Sequence, residues 1–402
     1  MNTTYPLQWV AGIISVFLPK FLKQNEKRIV LTSFHGDGYR GNTKVIFEQL
    51  CEHSYFRPVW LSRKRKVVDQ IKSKFGDETA ALTYSFAGLK SLASASAILF
   101  THGTSDFPFL RLPRRALKIQ TYHGLPTKRG EYMRPKSERP PIFFHKLILK
   151  YRFKPIDCFL STSPFVSDIF SQRFGLSKEQ FAETGYPCYD KLIKDKPDPE
   201  LIDNLWPEAP KYRKIVLYSP TYRKFSKTKW FPFDDFEPEV LSRFLEKENI
   251  LMLMRPHPNE PFDISEFKKI SDRFMDASQQ TIEDVYSLLL ITDAIITDYS
   301  SIYIEGLLRD IPSIFIPYDI ESYERGLPFN YHETTPGDKV LNQTEFLSSL
   351  KTTLDHKERY ESEMERVKSL FFSTTDGNAT ENVIKLLEKS IPGKRNTNET
   401  TG

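Results

Sequence analysis

A chain of 402 residues with 39 % hydrophobic and 27 % charged residues has room for two ordinary domains and is too apolar to be disordered. Its formal charge of +5 is small for the length, and no nucleic-acid-binding motif accompanies it, which sets nucleic acid aside as a partner. The three scattered cysteines, Cys51, Cys158 and Cys188, exclude a disulfide framework or a zinc cluster and fit a reducing, cytoplasmic setting.

In chain order, residues 7–22 are mostly apolar but broken by Gln8, Ser15, Pro19 and Lys20. That is too interrupted for a spanning helix, and there is no basic n-region or cleavage site of a signal peptide. The pattern predicts an N-terminal amphipathic segment over 1–27, lying on a membrane or docked on the protein itself. Strands are predicted at 28–33, 57–61, 80–84, 97–101, 117–122 and 158–161, with helices at 42–52, up to Phe75 and up to Phe174. Alternation of this kind argues for a parallel sheet with crossover helices over 28–190. Within it, residues 111–154 hold 13 Lys or Arg against 2 acidic residues. Apolar residues run through them at 142–150, either a basic amphipathic helix for an anionic membrane or a solvated helix on the core.

Four prolines among charges mark a linker over 191–213, with a short helix inside it. A second α/β series over 214–372 follows, with strands at 215–218, 250–254, 294–297 and 313–316. Its helices are predicted at 238–248, 282–291, 301–309, 343–354 and 358–372. A C-terminal helix over 373–391 and a disordered tail over 392–402 complete the chain. The fold class is α/β: two doubly wound Rossmann-like domains facing a cleft, the GT-B type.

Polar clusters stand directly behind several strands, where open α/β sheets bind ligands. His123 ends the strand before Gly124 and can take a proton from a hydroxyl, or only tie down its loop. In Arg255-Pro-His-Pro258, Pro256 and Pro258 stiffen the backbone, so that Arg255 can fork two oxygens of a diphosphate and His257 can donate to it. Thr221 and Arg223, in Tyr218-Ser-Pro-Thr-Tyr-Arg223, can reach an anion or simply form a proline turn. Asp298, Ser300 and Ser301 open a helix whose amides can point at phosphate, with Glu305 one turn on for a ribose. Plain capping explains the same residues without a ligand.

Read together, these clusters resemble the CDP-glycerol glycerophosphotransferase family, the teichoic acid TagB/TagF group. The ordered set is Thr121-Tyr-His-Gly-Leu-Pro-Thr-Lys128, Tyr218-Ser-Pro-Thr-Tyr-Arg223, Arg255-Pro-His-Pro258, Thr297-Asp-Tyr-Ser-Ser301 and Phe315-Ile-Pro-Tyr-Asp319 followed by Tyr323. The resemblance covers residues 28–387. It implies a CDP-polyol donor, CDP-glycerol or CDP-ribitol, in the second domain. It also implies a lipid-linked acceptor at the cytoplasmic face of the membrane, in teichoic-acid-like or capsular polymer synthesis. His123 then matches the base and His257 the histidine near the diphosphate. Thr221, Arg223, Arg255, Pro256, Asp298, Ser300, Ser301 and Glu305 line the donor. Gly124, Lys128, His35 and Asn42 fall on the acceptor side. Departures gather in the first half: Tyr122 stands for the usual Trp, Leu125 for Thr and Cys188 for Arg.

The expected reaction is attack of an acceptor hydroxyl on the polyol-bearing phosphorus, with CMP leaving and no metal or cofactor, since no Asp-x-Asp motif ends a strand. The length favours transfer of one or a few units over long-chain polymerisation. A nucleotide-sugar glycosyltransferase of the same fold, or a non-catalytic membrane-associated glycan-binding protein, are the alternatives. Polyol, acceptor and oligomeric state are not read from the sequence.

Overall fold

Short aliphatic and β-branched runs separated by amphipathic segments can bury both faces of a sheet only if the strands lie parallel and the segments cross over as helices. The computed structural model shows this twice. It describes residues 5–130, 133, 155–198, 200–207, 211, 214–223, 227–323 and 326–391. The expected tail at 392–402 and the basic amphipathic stretch at 142–150 lie outside the described residues. The chain divides into two units, one from Met1–Gly124, Gly130–Asp190 and Asp376–Gly402, the other from Leu125–Arg129 and Lys191–Thr375.

In the first unit, seven parallel strands run in the order β3-β2-β1-β4-β5-β6-β7. They are β1 (Asn25–Leu31), β2 (Arg57–Ser62), β3 (Ala80–Leu82), β4 (Ala95–Phe100), β5 (Leu117–Gln120), β6 (Cys158–Leu160) and β7 (Phe181–Ala182). The order reverses between β1 and β4, and a doubly wound sheet opens its ligand crevice at such a point. In the second unit the order is β10-β9-β8-β11-β12. These are β8 (Lys214–Tyr218), β9 (Ile250–Met254), β10 (Phe274–Asp276), β11 (Ala294–Thr297) and β12 (Ser313–Phe315), with the reversal between β8 and β11. Val216, Met252 and Ile296 pack on one face of this sheet, and Leu217, Leu251 and Ile295 on the other.

Two helices belong to the first unit without being part of its alternation. Helix Ala379–Ser390 packs on helix Asn42–Glu52. The Asp190 carboxylate fixes its start, accepting from Ala379 N at 2.9 Å, Thr380 N at 2.7 Å and Thr380 Oγ1 at 2.6 Å. The N-terminal helix Tyr5–Phe21 docks on the protein through small residues. Ala11 and Ser15 are buried, and a Cβ on Gly12 would lie 2.7 Å from the Phe109 carbonyl, so the approach requires glycine. Ser15 Oγ donates to Gly12 O and accepts from Arg111 N. The opposite side of this helix leaves Trp9, Ile13, Phe17 and Phe21 exposed.

Candidate active site

The first unit gathers three histidines at three adjacent strand ends. His35 follows β1, His102 follows β4 and His123 follows β5. The His102 and His123 rings are parallel, with centroids 4.1 Å apart and 2° between their planes. The His35 ring lies 4.3 Å from that of His102, and Tyr122 stacks on His123 at 4.2 Å. Phe34, His35 and Tyr122 hold the left-handed backbone conformation that non-glycine residues seldom adopt. Local strain at the ends of β1 and β5, the two strands that flank β4, is the kind that tertiary packing must enforce.

The Asp106 carboxylate organises the loops. It is fully buried and accepts from His35 N, Thr101 N, Thr101 Oγ1 and His102 N. The nearby Thr101 backbone favours the protonated His123 ring, but stronger effects oppose it. Loss of hydration among the surrounding protein, followed by the neighbouring His102, pushes the His123 imidazolium down to about 3. His123 is itself exposed to solvent, which moderates the size of the depression without changing its direction. The side chain is neutral near physiological pH.

The remaining residues expected on the acceptor side divide. Gly124 borders open space, and its carbonyl lies 3.5 Å from the Tyr186 hydroxyl, which donates to it. Lys128 is half-buried and groups with the second unit through Leu125–Arg129, rather than with the acceptor-side domain expected to hold it. Asn42 does not face an acceptor. Its side chain is buried, donates to Thr121 O at 2.9 Å and accepts from Cys188 N at 3.1 Å, clasping two loops together. His102 is the residue sequence reasoning missed. It stands one position past an expected strand end, and that placement was the available signal.

In the second unit, the loops after β8 and β11 flank the switch point. Thr221 N donates to Asp298 Oδ1, and the Thr221 hydroxyl is buried with no hydrogen-bond partner among the described residues. An orphaned buried hydroxyl costs free energy unless something arrives to bond it. Asp298 is not a helix cap. It also accepts from Tyr299 N and from Arg223 Nη2, and is itself buried. Ser301 holds the N-cap position of helix Ile302–Gly306 without a side-chain capping bond. Capping therefore does not account for the serine pair, and both serines remain half-buried at the loop. Glu305, expected one turn on for a ribose, is buried on this helix.

The two arginines correct the expectation of a phosphate fork. Arg223 is buried and forks Asp319 through Nε at 2.9 Å and Nη2 at 2.8 Å, while Nη2 also reaches Asp298 at 2.8 Å and Nη1 donates to Thr221 O. Tyr299 donates to the same Asp319. Arg223 is thus the knot that joins three loops. Arg255 donates through Nη1 to the carbonyls of Ala277 and Ile282 at 2.7 Å each, and through Nη2 to that of Glu283. Its burial lowers its pKa to about 10. It pins the loop beyond β10 instead of presenting a free fork. Pro256 is buried beside it.

His257 is half-exposed and stacks on Tyr222 at 4.9 Å. Its Nδ1 accepts from Asn259 N at 3.2 Å, which fixes the neutral tautomer with the proton on Nε2. Among the described residues no cluster of histidine, cysteine and carboxylate side chains suited to a metal ion is present.

Two doubly wound units, each with polar loops at the strand order's reversal, give a fold of the GT-B class. The matching family model, CDP-Glycerol:Poly(glycerophosphate) glycerophosphotransferase, spans residues 14–389, and the chain belongs to that family. A teichoic acid glycerol-phosphate transferase of Staphylococcus aureus is 26 % identical over 91 % of this chain and 94 % of its own length. A teichoic acid poly(glycerol phosphate) polymerase of Staphylococcus epidermidis is also 26 % identical over 91 % of this chain, which spans only 51 % of that protein. The solved wall teichoic acid polymerase TagF shares the fold at a TM-score of 0.75 and 22 % identity, over 96 % of this chain and 93 % of that one.

Proposed function

We propose that this chain transfers glycerol phosphate, or a related polyol phosphate, from a CDP-polyol to a hydroxyl of a lipid-linked acceptor. The acceptor oxygen attacks the polyol-bearing phosphorus, its proton passes to the unprotonated nitrogen of His123, and the bond to CMP breaks. The placement of His123 carries this reading: its ring is held in a stack between His102 and Tyr122 at a strand end, and loss of hydration with the neighbouring His102 keeps it neutral and able to take a proton. A base with so low a pKa is weak. Phosphoryl transfer through a loose transition state asks little of its base, since positioning and charge stabilisation dominate.

The second unit holds the donor. With its proton on Nε2, His257 can donate to charge that develops on the diphosphate, and the Thr221, Ser300 and Ser301 hydroxyls can add donors. Arg223 and Asp298 hold these loops in place and do not themselves meet the donor. The TagF polymerase has also been solved after a soak with CDPG, at a TM-score of 0.73 and 24 % identity. Whether glycerol or ribitol is preferred is an outcome of the assay.

A lipid-linked acceptor requires the enzyme to reach a membrane surface. Helix Tyr5–Phe21 presents Trp9, Ile13, Phe17 and Phe21 outward, with Lys20 and Lys23 exposed or half-exposed beside them, a composition suited to an anionic interface. Among the described residues no helix is long and apolar enough to cross a membrane. The test is purified protein incubated with CDP-glycerol or CDP-ribitol, with and without lipid acceptor, scored for CMP. Acceptor-dependent CMP supports the reading, and release of a nucleoside diphosphate from a nucleotide sugar instead contradicts it.

A further inference from the structure

His102 ends β4 at the reversal point of the first sheet, and the proposed reaction has not yet given it a task. Parallel rings 4.1 Å apart cannot hydrogen-bond to each other, so His102 does not pass a proton directly to His123. The stack instead restrains the plane of the His123 ring. Phe34, at 5.1 Å, and His35, at 4.3 Å, hold the His102 ring in turn.

The protonation of His102 can be followed bond by bond. Its Nδ1 lies 2.7 Å from Thr101 Oγ1, which lies 3.1 Å from Asp106 Oδ2 and accepts from Phe34 N. An ionised carboxylate only accepts, so the hydroxyl proton of Thr101 is directed to Asp106. His102 Nδ1 then carries the proton that it donates to Thr101. The carboxylate stands 3.8 Å from Nδ1, so a proton added to this cluster is best stabilised on His102. The resulting imidazolium faces His123 and repels a second proton. The other charged or titratable groups around the pair are His35, Tyr122 stacked on His123, Arg40 across the Phe34 ring, and Arg173, which also disfavours a charge on His123.

We propose that His102 is a positioning residue for His123: stacked on it and tied through Thr101 to the buried Asp106, it fixes the plane of the base and keeps a proton off it. The inference rests on His123 being the base of the proposed transfer.

Imidazole resonances of the histidine-labelled full chain, followed as pH falls through the folded range, test it in wild type, His102→Phe and His102→Gln. The Phe variant keeps a ring on the stack but no charge. The Gln variant keeps a polar group beside Thr101 but no ring. In both, His123 should begin to protonate at higher pH, by at least about 0.7 unit, the effect of a unit charge at this separation even under full water screening. The acid limb of CMP release should move by the same amount, with KM for the CDP-polyol unchanged and kcat lower for Gln than for Phe. A His123 titration unmoved in either variant that circular dichroism shows to be folded overturns the proposal. If the wild type releases no CMP, the functional reading fails, while the resonances still decide whether the two rings are coupled.

Discussion

His123 and His257 are suited to different jobs for different reasons. Loss of hydration and the neighbouring His102 keep His123 neutral, and the bond from Asn259 N to Nδ1 leaves the His257 proton on Nε2. Replacing His123 by alanine should lower kcat roughly 100- to 10,000-fold, the usual worth of a general base, with KM for the donor nearly unchanged. Steady-state CMP release measures both. The depressed pKa also has a stability consequence. Between the ordinary value of 6.5 and about 3 the unfolded chain binds the extra proton and the native chain does not, so stability falls as pH drops through that window. Thermal unfolding should therefore show a shallower acid loss in His123→Gln than in wild type. Arg223 is a different case. Its removal strands the buried Asp298, and Arg223→Ala should cost about 3–5 kcal/mol by urea unfolding. The sequence displayed Arg223 and Arg255 as free cations behind strands. Their partners, Asp319 and the carbonyls from Ala277 to Glu283, lie far enough along the chain that only the fold reveals them.

At the scale of elements, function depends on loops that begin where strands stop. β8, β9 and β11 are unbroken apolar runs ending in polar residues, which is why these strand ends were legible from spacing alone. β7 and β10 were not, because Phe181–Ala182 and Phe274–Asp276 sit among charged residues without a longer apolar run and depend on a neighbouring strand for definition. His102 escaped for a related reason: it is a single residue between a threonine and a glycine, and its meaning comes from β5 lying beside β4. The C-terminal helix likewise gives no sequence sign of which sheet it joins. Asp190 decides this through three hydrogen bonds. Asp190→Ala should destabilise the first unit by about 1–3 kcal/mol. In hydrogen exchange, amides of Ala379–Ser390 should lose protection while those of β8 to β12 keep theirs.

For the whole molecule, the proposed division of labour is between a unit with a histidine cluster and a unit whose polar loops would hold the donor, and the N-terminal helix adds a third surface. That helix is half docked and half bare, so its exposed side can be altered without disturbing the fold. Ile13→Glu together with Phe17→Glu should reduce binding to anionic vesicles by roughly tenfold or more, since each large apolar side chain is worth about 1.5–3 kcal/mol when buried at an apolar interface. The melting temperature should not change. The central claim is that the chain moves a polyol phosphate with His123 as the base. The most direct measurement is CMP release from CDP-glycerol and CDP-ribitol in the presence of a lipid-linked acceptor, for wild type and for folded His123→Ala. Acceptor-dependent CMP in the wild type, lost in the variant, is the predicted result. Equal release by the two proteins, or none by the wild type, would contradict it.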